Sequence, residues 1–526
     1  MKVRRLPPGV DGRDFTRALA AFRVALGPRW VLTEGAVGLP GYTDPQPVLD
    51  EDHFAASAAV LPATVEDVRA VVRIAGAFGV PLSPVLPGRD PGFGGPAPRL
   101  PGAVAVDLAR MNRVVEVDPA GGYAVVEPGV TFHDLAGRIA GLGLDQRVEL
   151  EGPRWGSVVG EVLDRSTGGP GYEGADAAPY GMEVVLADGE VVRTGTAALT
   201  GPGPWAPYGC GPALGAMFAR SAFGIVTKLG VRLAPEPAAR RAYAVAVPAE
   251  DGLGPLVDAL RPLLRDRTVT GTPTVRSVLL DAAAAGSRDT YHRGTGPVPD
   301  RVVRTLMADH GIGRWNLYGE LAGAPAVIDA QWSVIRDALA AVPGARFSRA
   351  GADGGGAGGA GMGGAGADGG GAAHARPADE ADGWLPHGGR IDLTPVSPVT
   401  GADALAQYAL ARDLAHAHGK DYLGAFAVGA RALHHRVAAV FDTRDADDRA
   451  RALRLCEALV RAAAEAGYGV QRAHPALMDR VAAAYGFNDH AVRRLGERIK
   501  DALDTEGILA PGKHGIWPRR YRGLGL

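Results

Sequence analysis

Cysteine is almost missing from this chain, with only Cys210 and Cys456, far apart and in unrelated contexts. That excludes a disulfide framework and reads as a protein of the reducing cytosol. A charge excess is missing as well, because 56 Lys and Arg stand against 58 Asp and Glu. A net charge of −2 offers no basic surface for nucleic acid or an anionic membrane. Long apolar runs are absent, both as a secretory core behind Pro7, Pro8 and Gly9 and as a bilayer span. No Cys pair or HExxH supports a metal site. His434 and His435 are strand neighbours that face opposite ways, and His416 and His418 do not converge on a helix.

What is present is length and glycine. A chain of 526 residues exceeds one ordinary core, so two or more domains are expected. Of its 76 glycines, four fall at 88, 92, 94 and 95 in the run GRDPGFGGPAPRLPG. Such a loop turns tightly and can bring backbone N–H groups against a phosphate, with Arg89 adding a charge to pair with a diphosphate or a neighbouring carboxylate. Its spacing is neither Walker A nor GxGxxG, so alone it is weak. From Ala350 to Ala373 the chain holds only Ala and Gly, two Asp and one Met. That composition predicts a disordered insert.

Periodicity orders the rest. Phe15, Leu19, Phe22 and Leu26 have helical spacing, and Thr64 opens a helix with Val65, Val68, Val71, Val72 and Ile74 near one face. PLSPV predicts a strand into the glycine loop. VVEVDPAGGYAVVEPG predicts a hairpin, and Thr131 caps the helix that follows. Residues 208–235 predict a helix and then a strand. Strands are expected at GGRIDLTP, DYLGAFAVGA and ALHHRVAAVF, and helices at Asp403–His418, Arg449–Ala466 and Ala491–Leu503. The fold class is therefore α+β and not a repeated βαβ winding.

Five stretches together resemble the flavin-dependent vanillyl-alcohol oxidase and 4-cresol dehydrogenase family. They are GRDPGFGGPAPR, MNRVVEVDPAGGYAVVEPGVTFHDL, GMEVVLADGEVVRTG, PYGCGPALGAMFARSAFGIVTKLG and ILAPGKHGIWP, collinear from the N-terminal region to the tail. The resemblance implies a two-domain FAD-linked oxidase fold. Residues 1–238 with 471–526 would form the PCMH-type FAD-binding domain, and 239–470 an α+β cap over the substrate. It also implies that Pro87, Gly88, Arg89, Asp90, Gly92, Phe93, Gly94 and Gly95 hold the FAD diphosphate. Gly156, Ser157, Gly160, Gly224, Ile225 and Val226 would line the cofactor channel, and Lys513 of APGK would approach the flavin.

Departures from the family are informative. Its phenol oxidases hold the phenolate with two tyrosines and an arginine, and these positions fall at Phe93, Gln471 and Arg472. The acid near the flavin falls at Gly152, one residue from Glu151. The residue that tethers flavin covalently in many members falls at Arg390, which predicts non-covalent FAD. Strand alternation places Arg390, Asp392 and Thr394 on one face, and His434 with Arg436 on the corresponding face. With Arg472 this sets three arginines against one aspartate, either as anchors for a polar or anionic substrate or as an internal ion-pair lattice.

The expectation is an FAD-dependent oxidoreductase that removes a hydride from a small polar or anionic, aromatic or alcohol-type substrate. Arg472, Arg390 and Arg436 would anchor it, with His434 or Asp392 accepting the proton. Electrons would pass to oxygen or to a carrier protein, and the resemblance adds a homodimer. Two other readings stand beside it: a 4-alkylphenol oxidase or dehydrogenase with a rearranged pocket, and a silent flavin-binding scaffold.

Overall fold

A computed structural model describes residues 6–50, 52–148, 152–164, 181–200, 205–207, 209–349 and 381–524. Glu151 and the insert at 350–373 lie outside the described residues. Up to Glu236, and again from Ala473, the chain forms one compact unit, and Pro237–Arg472 forms a second. The expected divisions at 238/239 and 470/471 compare with these changes at 236/237 and 472/473.

The first unit carries two sheets. Strands β1 (Val31–Leu32), β2 (Ala59–Val60), β3 (Leu82–Val85) and β4 (Val104–Asp107) lie in the order β1-β2-β4-β3. β4 runs parallel to both β2 and β3. The helix Val65–Phe78 buries Val68, Val71, Val72 and Ala75, and Thr64 with Asp67 forms a capping box at its start. Glycine ends it, since Gly79 at φ +62° takes a left-handed conformation. A second capping box, Thr131 with Asp134, starts the helix Phe132–Gly141.

The other sheet of this unit uses β5 (Val114–Asp118), β6 (Tyr123–Val126), β7 (Gln146–Val148), β8 (Met182–Val185), β9 (Val191–Arg193) and β10 (Ile225–Pro235). Its order is β5-β6-β10-β8-β9, with β7 also paired to β10. The helix expected in the first part of residues 208–235 shrinks to the single turn Gly215–Phe218, with Gly209, Gly211 and Pro212 just ahead of it to delay its start.

The chain then leaves for the second unit and returns. On return, Ile508–Ala510 lie beside β3: the Leu82 N–H donates to the Ile508 carbonyl at 2.7 Å, and the Ala510 N–H donates to the Leu82 carbonyl at 2.8 Å. The glycine loop leaves the carboxyl end of β3, the edge of a parallel sheet where ligands bind.

The second unit is built on nine strands: β11 (Ala239–Val247), β12 (Thr274–Ser277), β13 (Trp315–Gly323), β14 (Arg346–Arg349), β15 (Gly388–Leu393), β16 (Pro395–Ser397), β17 (Leu423–Val428), β18 (Leu433–Asp442) and β19 (Gly469–Val470). Their order is β14-β11-β13-β12-β17-β18-β16-β19, with β15 also paired to β18, and the pairs are antiparallel. The helices Gly401–Ala417 and Ala446–Glu465 cover the face that bears Leu393, His435 and Val437. The opposite face carries Ala425, Ala438 and Val440, packed with Trp384 and the helices Val278–Ala285 and Asp300–His310.

Gly88 tests the glycine loop directly. It sits at φ +79°, and a Cβ there would fall 2.4 Å from the Gly156 Cα, which is backbone and cannot swing aside. Gly88→Ala is expected to cost about 2 kcal/mol or more of stability by urea unfolding, from left-handed strain and steric overlap.

Candidate active site

The glycine loop organises itself around Asp90. That carboxylate accepts the Gly92 N–H at 3.0 Å, and the Asp90 carbonyl accepts the N–H groups of Phe93 and Gly95, each at 3.1 Å. The Pro91 carbonyl takes the Gly94 N–H at 2.8 Å. The donors of residues 92–95, expected to meet a phosphate, are therefore used inside the loop, because Asp-Pro-Gly folds as a side-chain-capped turn. The first half of the loop is Pro87–Arg89. It rests on the Gly156 segment, where the Ser157 N–H donates to the Pro87 carbonyl at 3.1 Å. Ser157 Oγ in turn accepts the Gly160 N–H at 2.9 Å. Gly224 lets β10 start hard against β8, since a Cβ would lie 2.4 Å from a Val184 methyl. The side chains of Ile225 and Val226 are core residues, so these two positions can line a channel only with backbone.

A cavity of about 50 Å³ opens between this loop and the returning tail. Arg89, Arg99 and Lys513 line it, with no carboxylate among the lining residues. Its other walls are apolar: Pro84, Phe93, Leu100, Pro475, Met478 and Pro511. Arg89 donates to the Pro84 carbonyl at 3.1 Å, and Arg99 pairs with Asp479 while stacking 5.0 Å from the Trp517 ring centre. Cations set in apolar walls suit a cofactor that joins a diphosphate to a flat ring system, so the residues present fit FAD. Beside the cavity, the fully buried His474 meets the Asp44 carboxylate at 3.0 Å, and its Nδ1 accepts the Ala476 N–H at 3.2 Å. The proton therefore sits on Nε2 and is donated to Asp44.

In the second unit the pairing register brings several candidates together. Asp392 pairs with Ala438, so Arg390 and Asp392 share a face with His434 and Arg436. Asp392 Oδ2 accepts Arg390 Nε at 2.9 Å and an Arg436 nitrogen at 2.6 Å. Arg390 is fully buried and also pairs with Asp382. It is therefore an internal ion pair and not a group that reaches toward a substrate. Arg436 keeps 21 % of its side chain exposed, while Asp392 has none. The pairing continues across the sheet through Ala425 to Arg276, which meets Asp281 at 2.6 Å. Burial pushes the Asp281 carboxyl up to about 6 even beside Arg276. Asp382, Arg276 and Asp281 were not among the expected residues. With them, three arginines on this face, 390, 436 and 276, meet three carboxylates, and the surplus positive charge read from the sequence shrinks accordingly.

His434 and Arg472 are half-buried, the latter as the last residue of this unit. His435 turns to the other face, where it stacks on Phe426 with ring centres 4.0 Å apart and meets the Tyr422 hydroxyl at 2.7 Å. No group of three or more His, Cys, Asp or Glu able to hold a metal occurs among the described residues, and none of their helices is long and apolar enough to cross a membrane.

Matches to known protein families fall on both units. Residues 56–195 match the FAD binding domain family, and residues 388–514 match the C-terminal domain of FAD linked oxidases. The protein is an FAD-dependent oxidoreductase with the two-domain FAD-linked oxidase fold. Within that class it belongs to the 4-cresol dehydrogenase family. It is 33% identical to the 4-cresol dehydrogenase [hydroxylating] flavoprotein subunit of Pseudomonas putida, over 97% of each chain. The solved structure of 4-ethylphenol oxidase from Gulosibacter chungangensis superposes with a TM-score of 0.91 at 37% identity, covering 98% of this chain and 100% of that one. A third relative, 1'-carboxy-chondrochloren decarboxylase of Chondromyces crocatus, is 31% identical over 63% of this chain and 61% of its own length.

The placement of His435 carries a pH prediction. Burial pushes its imidazole down to about 3, against an unfolded value near 6.5, so the folded state binds fewer protons between those values. Neutral His435 therefore adds stability above the unfolded value that is lost as pH falls from about 6.5 toward 3. Urea unfolding between pH 4 and 7 is expected to show this slope, at most about 1.4 kcal/mol per pH unit, flattened in His435→Gln.

Proposed function

We propose that this protein dehydrogenates a small aromatic substrate that carries a polar or anionic group, with non-covalently bound FAD as the hydride acceptor. The observation that carries the reading is Arg436, part-exposed on the sheet face and gripped by the fully buried Asp392. A guanidinium held by a buried carboxylate keeps one orientation, and its planar positive charge suits a carboxylate or phenolate. Arg472 is the second anchor in this reading, and by family resemblance Phe93 and Gln471 stand where two phenolate-binding tyrosines would be. The relative named for a carboxylated chondrochloren supports an anionic substrate.

The reaction divides simply. Substrate loses one C–H hydrogen with its electron pair, which FAD accepts when bound, and one proton, which a side chain must take. Asp392 is committed to two guanidinium groups, so the proton falls to His434 on the same face. The arginines orient the ring so that the reacting carbon meets the acceptor, the contribution expected of protein groups in a cofactor enzyme. Electrons then leave to oxygen or to a carrier protein. The carrier draws support from the Pseudomonas relative, which is itself named as a flavoprotein subunit.

A second reading keeps neutral 4-alkylphenols as substrates, favoured by the full-length relatives named for 4-cresol and 4-ethylphenol. Anaerobic mixing separates the two. Bleaching of the visible flavin band is expected with para-substituted phenols bearing a carboxylate, and Arg436→Met should weaken their binding about 10- to 100-fold. Equal bleaching by neutral alkylphenols, indifferent to Arg436→Met, would overturn the anionic assignment in favour of the second reading.

Support for non-covalent attachment comes from Arg390, which by family resemblance stands at the tethering position and which pairs with Asp382 and Asp392. Acid precipitation of the purified yellow protein should leave the colour in the supernatant. Colour retained in the pellet would mean a covalent link through another residue.

A further inference from the structure

We infer that Lys500 is a positioning residue that holds three walls of the FAD site to one ammonium group. Lys500 lies on the helix Phe487–Leu503 and is fully buried. Its Nζ meets Asp504 Oδ2 at 2.6 Å, donates to the Ala222 carbonyl at 2.6 Å, and donates to the Leu509 carbonyl. An ammonium has three protons, and three acceptors from three segments take them.

Each segment leads to the cofactor site. Ala222 lies three residues before Ile225, where β10 begins. Leu509 precedes Ala510, Pro511 and Lys513, all of which line the cation-walled cavity. Asp504 closes the arrangement, accepting the Ile508 N–H at 2.9 Å and the Leu509 N–H at 2.8 Å. Ile508 and Ala510, on either side of Leu509, bracket Leu82, and Leu82, Ser83 and Pro84 form another wall of the cavity. A shift of the ammonium would therefore move the tail, the entry to β10 and the root of the glycine loop together.

Packing alone does not call for a charge here. A methionine of similar length would fill the space without the desolvation that a buried ammonium suffers. It could not hold two carbonyls and a carboxylate from separate segments at hydrogen-bond distance. The arrangement is the kind of supporting shell that fixes a binding site through backbone, with no contact to the ligand.

The inference rests on the loop and Lys513 lining the FAD site, and wild-type protein that takes up no FAD would sink that underlying reading instead. Two variants test it, Lys500→Met and Lys500→Met/Asp504→Asn, the second removing the carboxylate that the first strands in the core. For the double variant, FAD binding to the reconstituted protein is expected to weaken about tenfold or more, with a shifted flavin reduction potential. The apoprotein should unfold within a few degrees of wild-type apoprotein. A double variant whose apoprotein melts far lower, yet binds FAD with wild-type affinity and potential, would make Lys500 structural glue and overturn the inference. If neither variant folds, hydrogen exchange on wild-type protein decides. The amides of Leu82, Ile508, Leu509 and Ala510 should slow together by about tenfold when FAD is added to the stripped protein. Unchanged exchange at those amides would overturn it equally.

Discussion

Two backbone hydrogen bonds, from Leu82 to Ile508 and from Ala510 to Leu82, are the interaction on which the first unit turns. They join residues more than four hundred positions apart, and everything between Pro237 and Arg472 belongs to the other unit. Without them β3 ends as an open edge, and the glycine loop that leaves it loses the wall that Pro511 and Lys513 supply. Apolar burial sets the core beneath, with Val68, Val71, Val72, Ile508 and Leu509 in one cluster. The hydrogen bonds set the register, which burial cannot do because it has no direction.

Both units also share a way of handling buried charge. In one, Asp392 lies between Arg390 and Arg436, and Asp382 covers the far side of Arg390. In the other, Lys500 and Asp504 satisfy each other and four backbone groups besides. A buried ion is tolerable only when partners replace its water, so such groups come as sets and a single member cannot be exchanged in isolation. Arginine at 390 and the aspartates around it are therefore one structural decision.

Much of this was legible in the residues. Thr64 and Thr131 announced helix starts because capping boxes are local, and strand alternation correctly put Arg390, Asp392, His434 and Arg436 on a common face and His435 on the other. The glycine loop was visible as a loop. Its internal hydrogen bonding was missed, although Asp-Pro-Gly is a turn signature that could have shown Asp90 capping Gly92. Asp382 was out of reach, since it lies in a 3-10 turn just after the Gly/Ala-rich segment and no periodicity ties it to Arg390. Lys500 and Asp504 have ordinary i, i+4 spacing. Nothing local distinguishes a buried pair from a solvated one when Arg498 and Asp501 flank it. Burial there is a property of the tail folding back, which only the tertiary structure contains.

The return of the tail has a consequence for biosynthesis. Pro237–Arg472 is continuous in sequence and can close its nine-stranded sheet as it emerges from the ribosome. The first unit cannot, because β3 waits for residues that are translated after the whole of the second. During that interval the N-terminal strands carry an unpaired edge, the state most exposed to misassembly. Completion of the cofactor cradle is thus a late event in the life of the chain. A truncation in the last helix would leave a folded second unit attached to an N-terminal half with no finished place for a flavin.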